Sequence, residues 1–504
     1  MSPRLTQPSL HQRPVPRTSY HPVDPKGLVV DFRVRGRRYL FDGQSGQFFP
    51  ELSGSAEQAL DALRTPAAER RRTWARLCQA DPDVGDFVDE LEQYRLGTHP
   101  KLKPESPQRG FVHNGRPCTF TVYLSRVCNL ACRYCFTRGG RQGDAKARMS
   151  LDTARATLQF IRGIAEQRIH PVIAVNLFGG EPLMNPDAAY LLARGLQDLN
   201  KRRLKTKIHI LLTTNGTIED ERVFRVLAEK PPYGAVVVSL DAVKADHNRN
   251  RPFANGPRAS FGRVLATIQR LRRDRIPYSV TCVVPHPHRF VRAARSLEAL
   301  GIQRYEIKQL LQHQFGRQRL PAVFQRNFDV WRQGYLAYTD MDLETPGPEL
   351  GVTRVDRTLL FSRYAEAFDG DPAHPVTLAC GVADRKVGIE TDGSILPCES
   401  YAGENLGTVQ SGFDRKRYVA FERRMIHQGQ WRIRHPACRR CFAKRLCGGG
   451  CYAQSQDRYG RLTPSALWQG SCEILRETVK IDLYYIAEMR RLHPRLFRQL
   501  AGVS

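Results

Sequence analysis

Between Pro117 and Leu311 the sequence alternates short apolar runs with amphipathic stretches six times. The apolar runs are Thr119–Leu124, Val172–Phe178, Lys207–Leu212, Ala235–Leu240, Tyr278–Val284 and Arg304–Leu311. They are rich in Val, Ile and Leu with little charge at their centres, as parallel strands covered on both faces must be. The stretches between them, including Leu151–Gln167, Asp187–Asn200, Glu219–Glu229, Ser260–Arg272 and Phe290–Leu300, carry apolar residues at helical spacing. Parallel strands need crossover connections, and right-handed crossovers send every helix to the outside. The spacing therefore predicts an α/β fold, a partial (β/α)6 TIM-type barrel.

Material flanks the barrel on both sides. The first 25 residues are rich in Pro and Arg and lack an apolar h-region. They read as a flexible tail, not a secretory signal, and a cytoplasmic location is expected. Strand-like runs at Leu28–Val34 and Arg38–Phe41 precede helical patterns at Ala56–Leu63, Ala67–Gln79 and Val84–Tyr94, a small strand-plus-helices module. Division into a tail (1–25), this module (26–110), the barrel (111–325), a helical linker (326–375), a cysteine-rich domain (376–480) and a C-terminal helix and tail (481–504) is expected. No apolar run is long enough to cross a bilayer, so no membrane association is expected. Lys and Arg number 78 against 50 Asp and Glu, a net charge of +28. The excess is scattered and fits solvated helix faces, and no RNA-recognition module or aromatic platform accompanies it. Nucleic acid is not an expected partner.

Thirteen cysteines are present, and ten fall into two tight groups. A reducing compartment argues against disulfides and for metal or iron–sulfur ligation. The remaining three, Cys78, Cys118 and Cys282, lie in helix- or strand-like runs and read as buried thiols. The first group, Cys128-x3-Cys132-x2-Cys135, closely follows the first strand. Three thiolates in one loop can hold a cubane and leave one iron open; a zinc knuckle would need a distant fourth ligand. The next three strands also end in polar or glycine-rich stops: Gly179-Gly180-Glu181, Thr213-Thr214-Asn215-Gly216 and Ser239-Leu240-Asp241. In a barrel these ends share one mouth, where active sites are built.

The CxxxCxxC loop, the GGEPL stretch and the strand-four SLD resemble the radical S-adenosylmethionine (SAM) superfamily. The resemblance implies that Cys128, Cys132 and Cys135 hold a [4Fe-4S] cluster whose open iron is chelated by SAM. It implies that Gly179, Gly180 and Glu181 receive the methionine ammonium and that Tyr134 lies near the adenine. Ser239 would contact the ribose or carboxylate, and Arg251 would help hold the carboxylate. Reductive cleavage would give a 5′-deoxyadenosyl radical that takes hydrogen from a substrate.

The second group comprises Cys380, Cys398, Cys438, Cys441, Cys447, Cys451 and Cys472. Seven thiols are too many for one metal site. The spacing resembles the SPASM extension of radical SAM enzymes that modify peptides and proteins. That resemblance implies two auxiliary [4Fe-4S] clusters, three in all: one on Cys438, Cys441, Cys447 and Cys472, the other on Cys380, Cys398 and Cys451. Glu399, next to the second cysteine of the group, is either a general base or electron-path residue, or a solvated loop carboxylate. The segment His247–Gly256 resembles maturases of ribosomally made peptides of the thioether-forming and quinohemoprotein type. Arg38–Gly46 resembles the start of a winged-helix-like leader-recognition module in such enzymes. The implied function is crosslinking or oxidation of a side chain in a peptide or protein, possessing in some cases a leader segment. The implied electron source is a flavodoxin or ferredoxin. A sulfatase maturase, forming formylglycine, is the alternative, and the absence of an eighth cysteine counts against it. An RNA-modifying enzyme is a third reading.

Overall fold

The computed structural model describes residues 20–43, 47–98, 118–135, 148–202, 205–229, 233–256, 258–284, 289–309, 332–341, 343–344, 386–400, 404–421, 423–424, 436–443 and 469–501. Six parallel strands form its centre: β5 (Thr119–Ser125), β6 (Val172–Gly179), β7 (Lys207–Thr214), β8 (Gly234–Ser239), β9 (Tyr278–Val284) and β10 (Tyr305–Gln309). They pair in sequence order, each parallel to the next. The helices α4 (Leu151–Glu166), α5 (Pro186–Lys201), α6 (Glu221–Ala228), α8 (Phe261–Arg273) and α9 (Phe290–Ala299) fall within about three residues of the sequence expectation at either end.

Local chemistry starts these helices. Ser150 caps α4 by accepting from the Thr153 N–H at 3.0 Å, and Asp220 caps α6 by accepting from Arg222 and Val223. Along β6 the exposure alternates: Ile173, Val175, Leu177 and Gly179 are buried, whereas Ala174, Asn176 and Phe178 are half-buried. The first set packs into the core that includes the helices, and the second faces a barrel interior that stays open. The strands β6, β7, β8 and β9 alternate in this way, whereas β5 is buried on both faces from Phe120 to Ser125.

Two features went unread in the sequence. A seventh parallel strand, β11 (Lys386–Ile389), pairs with β5 from Lys386 against Thr119 to Ile389 against Val122, and β12 (Ile395–Leu396) returns antiparallel beside it. The cysteine-rich segment therefore extends the barrel sheet, and its Val387, Ile389, Ile395 and Cys398 share the barrel core. The short helix α7 (Lys244–Asn250) is polar apart from the exposed Ala245, and His247 alone in it is fully buried.

The N-terminal module is a four-stranded antiparallel sheet, β1 (Tyr20–Pro22), β2 (Val29–Val34), β3 (Arg37–Asp42) and β4 (Phe48–Phe49), followed by α1 (Gly54–Ala62), α2 (Ala67–Ala80) and α3 (Gly85–Leu96). Tyr20–Pro22, within the expected tail, pairs with β2, and residues 1–19 lie outside the described residues. The sheet is covered on both faces. Val29 and Leu40 pack with α1, α2 and α3 through Leu60, Trp74 and Leu91. Val30, Phe32, Val34, Tyr39 and Phe41 pack with Phe442, Ala443 and the long helix α10 (Gln469–Leu492) through Ile481, Tyr485 and Met489. That helix runs across the expected boundary at residue 480. The helical residues 332–341, inside the expected linker, lie along it: Arg332 donates to Glu477 at 2.6 Å, Tyr335 to Asp482 at 3.0 Å, and Tyr484 donates back to Asp340 at 2.9 Å.

The module is seated on the turn that carries Cys438 and Cys441. Tyr20 and Phe442 meet with ring centres 5.0 Å apart. A Cβ on Gly43 would lie 2.0 Å from the Phe442 carbonyl oxygen, so only glycine permits this approach. Gly43→Ala should lower the thermal unfolding midpoint, with a cost of about 1–3 kcal/mol from overpacking against backbone. Gly54→Ala, where a Cβ meets open space at the start of α1, should leave the midpoint unchanged or slightly higher. Equal midpoints for the two variants in a thermal melt would refute the contact.

Candidate functional site

The loop after β5 carries Cys128, Cys132 and Cys135, all half-buried. Its path is set by the end of β6. The N–H groups of Gly180 and Glu181 donate to the carbonyls of Ser125 and Val127 at 2.8 and 3.0 Å. A Cβ on Gly179 would stand 2.3 Å from the Ser125 oxygen, and one on Gly180 2.6 Å from the Val127 oxygen. Gly179 also holds φ at +152°. The two glycines thus let two strand ends touch immediately before the first cysteine. On the other side, the loop hydrogen-bonds the segment after α7: Ala131 N–H to the Pro252 carbonyl at 2.8 Å and Arg133 N–H to the Asn250 carbonyl at 2.9 Å.

Glu181 is fully buried. It accepts from the Leu183 N–H at 3.1 Å, the Thr214 hydroxyl at 2.8 Å and the Asn215 N–H at 2.7 Å. Burial pushes its carboxyl up to about 7 against these three donors, which favour the charged form. Asn215 does more than end a strand. Its amide points at the Cys128 sulfur at 3.7 Å and donates to Asn129 at 2.8 Å.

Tyr134 is buried and donates to both carboxylate oxygens of Asp241 at 2.8 Å. Arg251, the residue that closes α7, donates to Asp241 Oδ1 at 3.1 Å, and its guanidinium lies 5.1 Å from the Tyr134 ring centre. The Val283 N–H donates to the same carboxylate at 3.2 Å. Ser239, the last residue of β8, is half-buried. Asp241, which organises this side of the mouth, carries no role in the sequence reading. Its place in the Ser-Leu-Asp stop was the available signal.

The donors fit a cluster and an anion-bearing ligand. Burial pushes the Cys128 thiol up to about 12, with Glu181, Cys132 and Cys135 adding to it and the Leu130 N–H opposing. Burial likewise takes Cys132 up to about 11, opposed by Arg251 and helped by Cys135 and Asp241. Neighbouring buried thiols that resist ionisation gain most from a centre that supplies positive charge. Arg251 Nε is buried with no hydrogen-bond partner, a donor that suits an anionic group.

Of the second cysteine group, Cys398 is buried in the barrel core, and Cys438, Cys441 and Cys472 are half-buried. The Cys441 N–H donates to the Cys438 carbonyl at 3.2 Å. Arg476 of α10 hydrogen-bonds Cys441 and feels the charge of Cys472. Cys380, Cys447 and Cys451 lie outside the described residues. Glu399 offers its main-chain carbonyl to the Tyr123 hydroxyl at 2.5 Å, and its half-buried carboxylate stands 3.7 Å from Lys386 Nζ. Of the three isolated thiols, Cys282 is buried as expected, but Cys78 and Cys118 are only half-buried: they sit at a helix face and just before β5, not inside the sheet.

Residues 122–293 match the Radical SAM superfamily model. This segment is a radical SAM domain. The superfamily uses a [4Fe-4S] cluster and SAM. The chain is 23% identical over 350 residues to a cysteine-type anaerobic sulfatase-maturating enzyme of Clostridium perfringens, covering 65% of this chain and 86% of that one. It is 25% identical over 354 residues to a serine-type anaerobic sulfatase-maturating enzyme of Klebsiella aerogenes, covering 67% and 80%. The solved structure of native anSMEcpe with bound AdoMet and Cp18Cys peptide superposes with a TM-score of 0.54 at 17% identity, over 77% of this chain and 100% of that one, a likeness of fold. Among the described residues, no helix is long and apolar enough to cross a membrane.

Behind the radical SAM mouth, His247 is buried and neutral. Burial, with Arg251 adding and Asp241 opposing, lowers its pKa from 6.5 to about 4. The unfolded chain therefore takes up this proton first as pH falls. The stability tied to His247 is complete above pH 6.5 and is lost as pH falls toward 4. His247→Asn should flatten the acid side of the unfolding midpoint between those values; an unchanged slope would refute a buried neutral imidazole.

Proposed function

We propose that this protein is a radical SAM enzyme that alters a side chain of a peptide or protein substrate by crosslinking or oxidation. One observation carries the reading. The three-cysteine loop, the buried Glu181 carboxylate and the Arg251 guanidinium with its unpartnered Nε converge on one barrel mouth.

When bound, the cluster and SAM supply a one-electron cleavage that yields a hydrogen-abstracting carbon radical. The chain's own residues bind and orient. Cys128, Cys132 and Cys135 hold the cluster. Glu181, with Gly179 and Gly180 clearing its approach, receives the methionine ammonium, and that positive charge favours the ionised carboxylate despite burial. Arg251 receives the methionine carboxylate while Asp241 and Tyr134 hold it in place. Ser239 reaches the ribose or carboxylate from the end of β8, and Tyr134 borders the adenine. Glu399 serves as a base or lies on the electron path.

The second cysteine group holds two further clusters: Cys438, Cys441, Cys447 and Cys472 one, and Cys380, Cys398 and Cys451 the other. The turn that joins Cys438 to Cys441, and Arg476 acting on both Cys441 and Cys472, support the first of these sets. The N-terminal sheet reads a leader segment by strand addition, and a flavodoxin or ferredoxin supplies electrons. The likeness to two sulfatase-maturating enzymes favours a second reading, oxidation of a sulfatase Cys or Ser to formylglycine.

Reconstituted protein should hold about three [4Fe-4S] clusters; iron at only about four per chain would refute the two auxiliary sites. Replacing Cys128, Cys132 and Cys135 together with Ala should abolish reductive SAM cleavage while the remaining iron stays bound. Persistent release of 5′-deoxyadenosine would overturn the assignment of the first cluster. Mass spectrometry separates the two readings: a loss of two hydrogens from a small peptide encoded nearby favours peptide maturation, and formylglycine in a sulfatase favours the second.

A further inference from the structure

A directed chain of hydrogen bonds lies behind Arg251, and ligand binding at the mouth does not use it. The chain begins at the Asp241 N–H, which donates to His247 Nδ1 at 3.1 Å. Nδ1 is then the bare nitrogen, and the single proton of the neutral imidazole sits on Nε2. Nε2 stands 3.0 Å from Ser260 Oγ. The Ser260 hydroxyl spends its own proton on the Arg251 carbonyl at 2.7 Å, so it accepts from His247. The Arg251 N–H donates back to the His247 carbonyl at 2.7 Å. Both main-chain groups of Arg251 are thereby tied, directly or through Ser260, to His247.

Two observations aim this chain at the mouth. Its ends are Asp241 and Arg251, whose side chains pair with each other at 3.1 Å beside Tyr134. His247 and Ser260 are completely buried, with the Phe261 ring set edge-on 5.4 Å from the imidazole. Helix geometry fixes only one side of Arg251: its N–H makes the last i→i−4 bond of α7, to the His247 carbonyl, whereas its φ −124° and ψ 54° lie outside the helical region and leave its own carbonyl to Ser260. The relay supplies the missing constraint. A guanidinium must meet a carboxylate within a few tenths of an ångström and with its plane aligned, so the backbone that carries it must be held equally well.

We propose that His247 and Ser260 are positioning residues that set the Arg251 guanidinium to receive the carboxylate of SAM. This rests on the reading of Arg251 given above. The test uses the full chain with its clusters reconstituted, SAM as the probe, and the variants Ser260→Ala, Ser260→Thr, His247→Leu and Arg251→Gln. Ser260→Ala and His247→Leu should each weaken equilibrium SAM binding, and raise KM for SAM in uncoupled cleavage, by about tenfold, the worth of one net hydrogen bond. kcat should change by less than about twofold. The SAM-induced change in the EPR spectrum of the reduced first cluster should need correspondingly more SAM. Ser260→Thr keeps the hydroxyl and should restore all three. Thermal melts identify any variant that fails to fold, and the Ala and Thr pair at Ser260 then decides. If Arg251→Gln weakens SAM binding and Ser260→Ala does not, the relay is overturned while the reading of Arg251 stands. If Ser260→Ala lowers the melting midpoint without moving SAM affinity, its role is architectural and the proposal fails. If Arg251→Gln itself leaves SAM affinity untouched, the reading of Arg251 falls and the relay's purpose falls with it.

Discussion

The contact between the end of β6 and the loop after β5 fixes everything at the mouth. Two consecutive main-chain N–H groups, those of Gly180 and Glu181, bond two carbonyls just upstream of Cys128, at a separation no side chain at Gly179 or Gly180 would tolerate. A loop pinned at one end by backbone alone is held without the entropy cost of ordering long side chains. Its far end is pinned in the same way, to the carbonyls of Asn250 and Pro252 on either side of Arg251. The thiols and the guanidinium are therefore parts of one rigid frame. The carboxylate of Glu181 belongs to it too, since Glu181 follows directly on the two glycines and is itself held by β7 through Thr214 and Asn215.

A second frame connects the barrel to the cysteine-rich segment. β11 extends the sheet beside β5. Arg126, two residues before Cys128, makes a two-pronged ion pair with Glu390 at the end of β11 and lies over the Tyr123 ring at 3.9 Å. Tyr123 in turn bonds the carbonyl of Glu399, next to Cys398. The first cysteine loop and Cys398 are thus held in register by neighbouring strands of one sheet. Partly buried, bidentate Arg–carboxylate pairs of this kind fix geometry better than they add stability.

The sequence was most readable where one residue type has few physical reasons to occur. Apolar runs of Val, Ile and Leu marked all six barrel strands, and clustered thiols marked both candidate metal regions. β11 was missed because Lys386–Ile389 is four residues long and becomes a strand only by pairing with β5, far away in the chain. α7 was missed because its helical pattern holds one apolar contact, the buried His247. The pairing of Arg251 with Asp241 and the approach of Asn215 to Cys128 depend on side chains from different strands meeting in space. The glycines at 179 and 180 were read for the ligand they would admit. Their other neighbour, the backbone of Ser125 and Val127, is invisible without coordinates.

The antiparallel sheet of residues 20–49 completes its second apolar face with α10, which lies more than four hundred positions downstream. During synthesis the sheet leaves the ribosome long before its covering helix is made. At some 5–20 residues per second it waits on the order of half a minute or more with Phe32, Tyr39 and Phe41 uncovered. Such a face is a natural client for chaperones, and the chain closes on itself only once the last cysteine, in the first turn of that helix, has emerged.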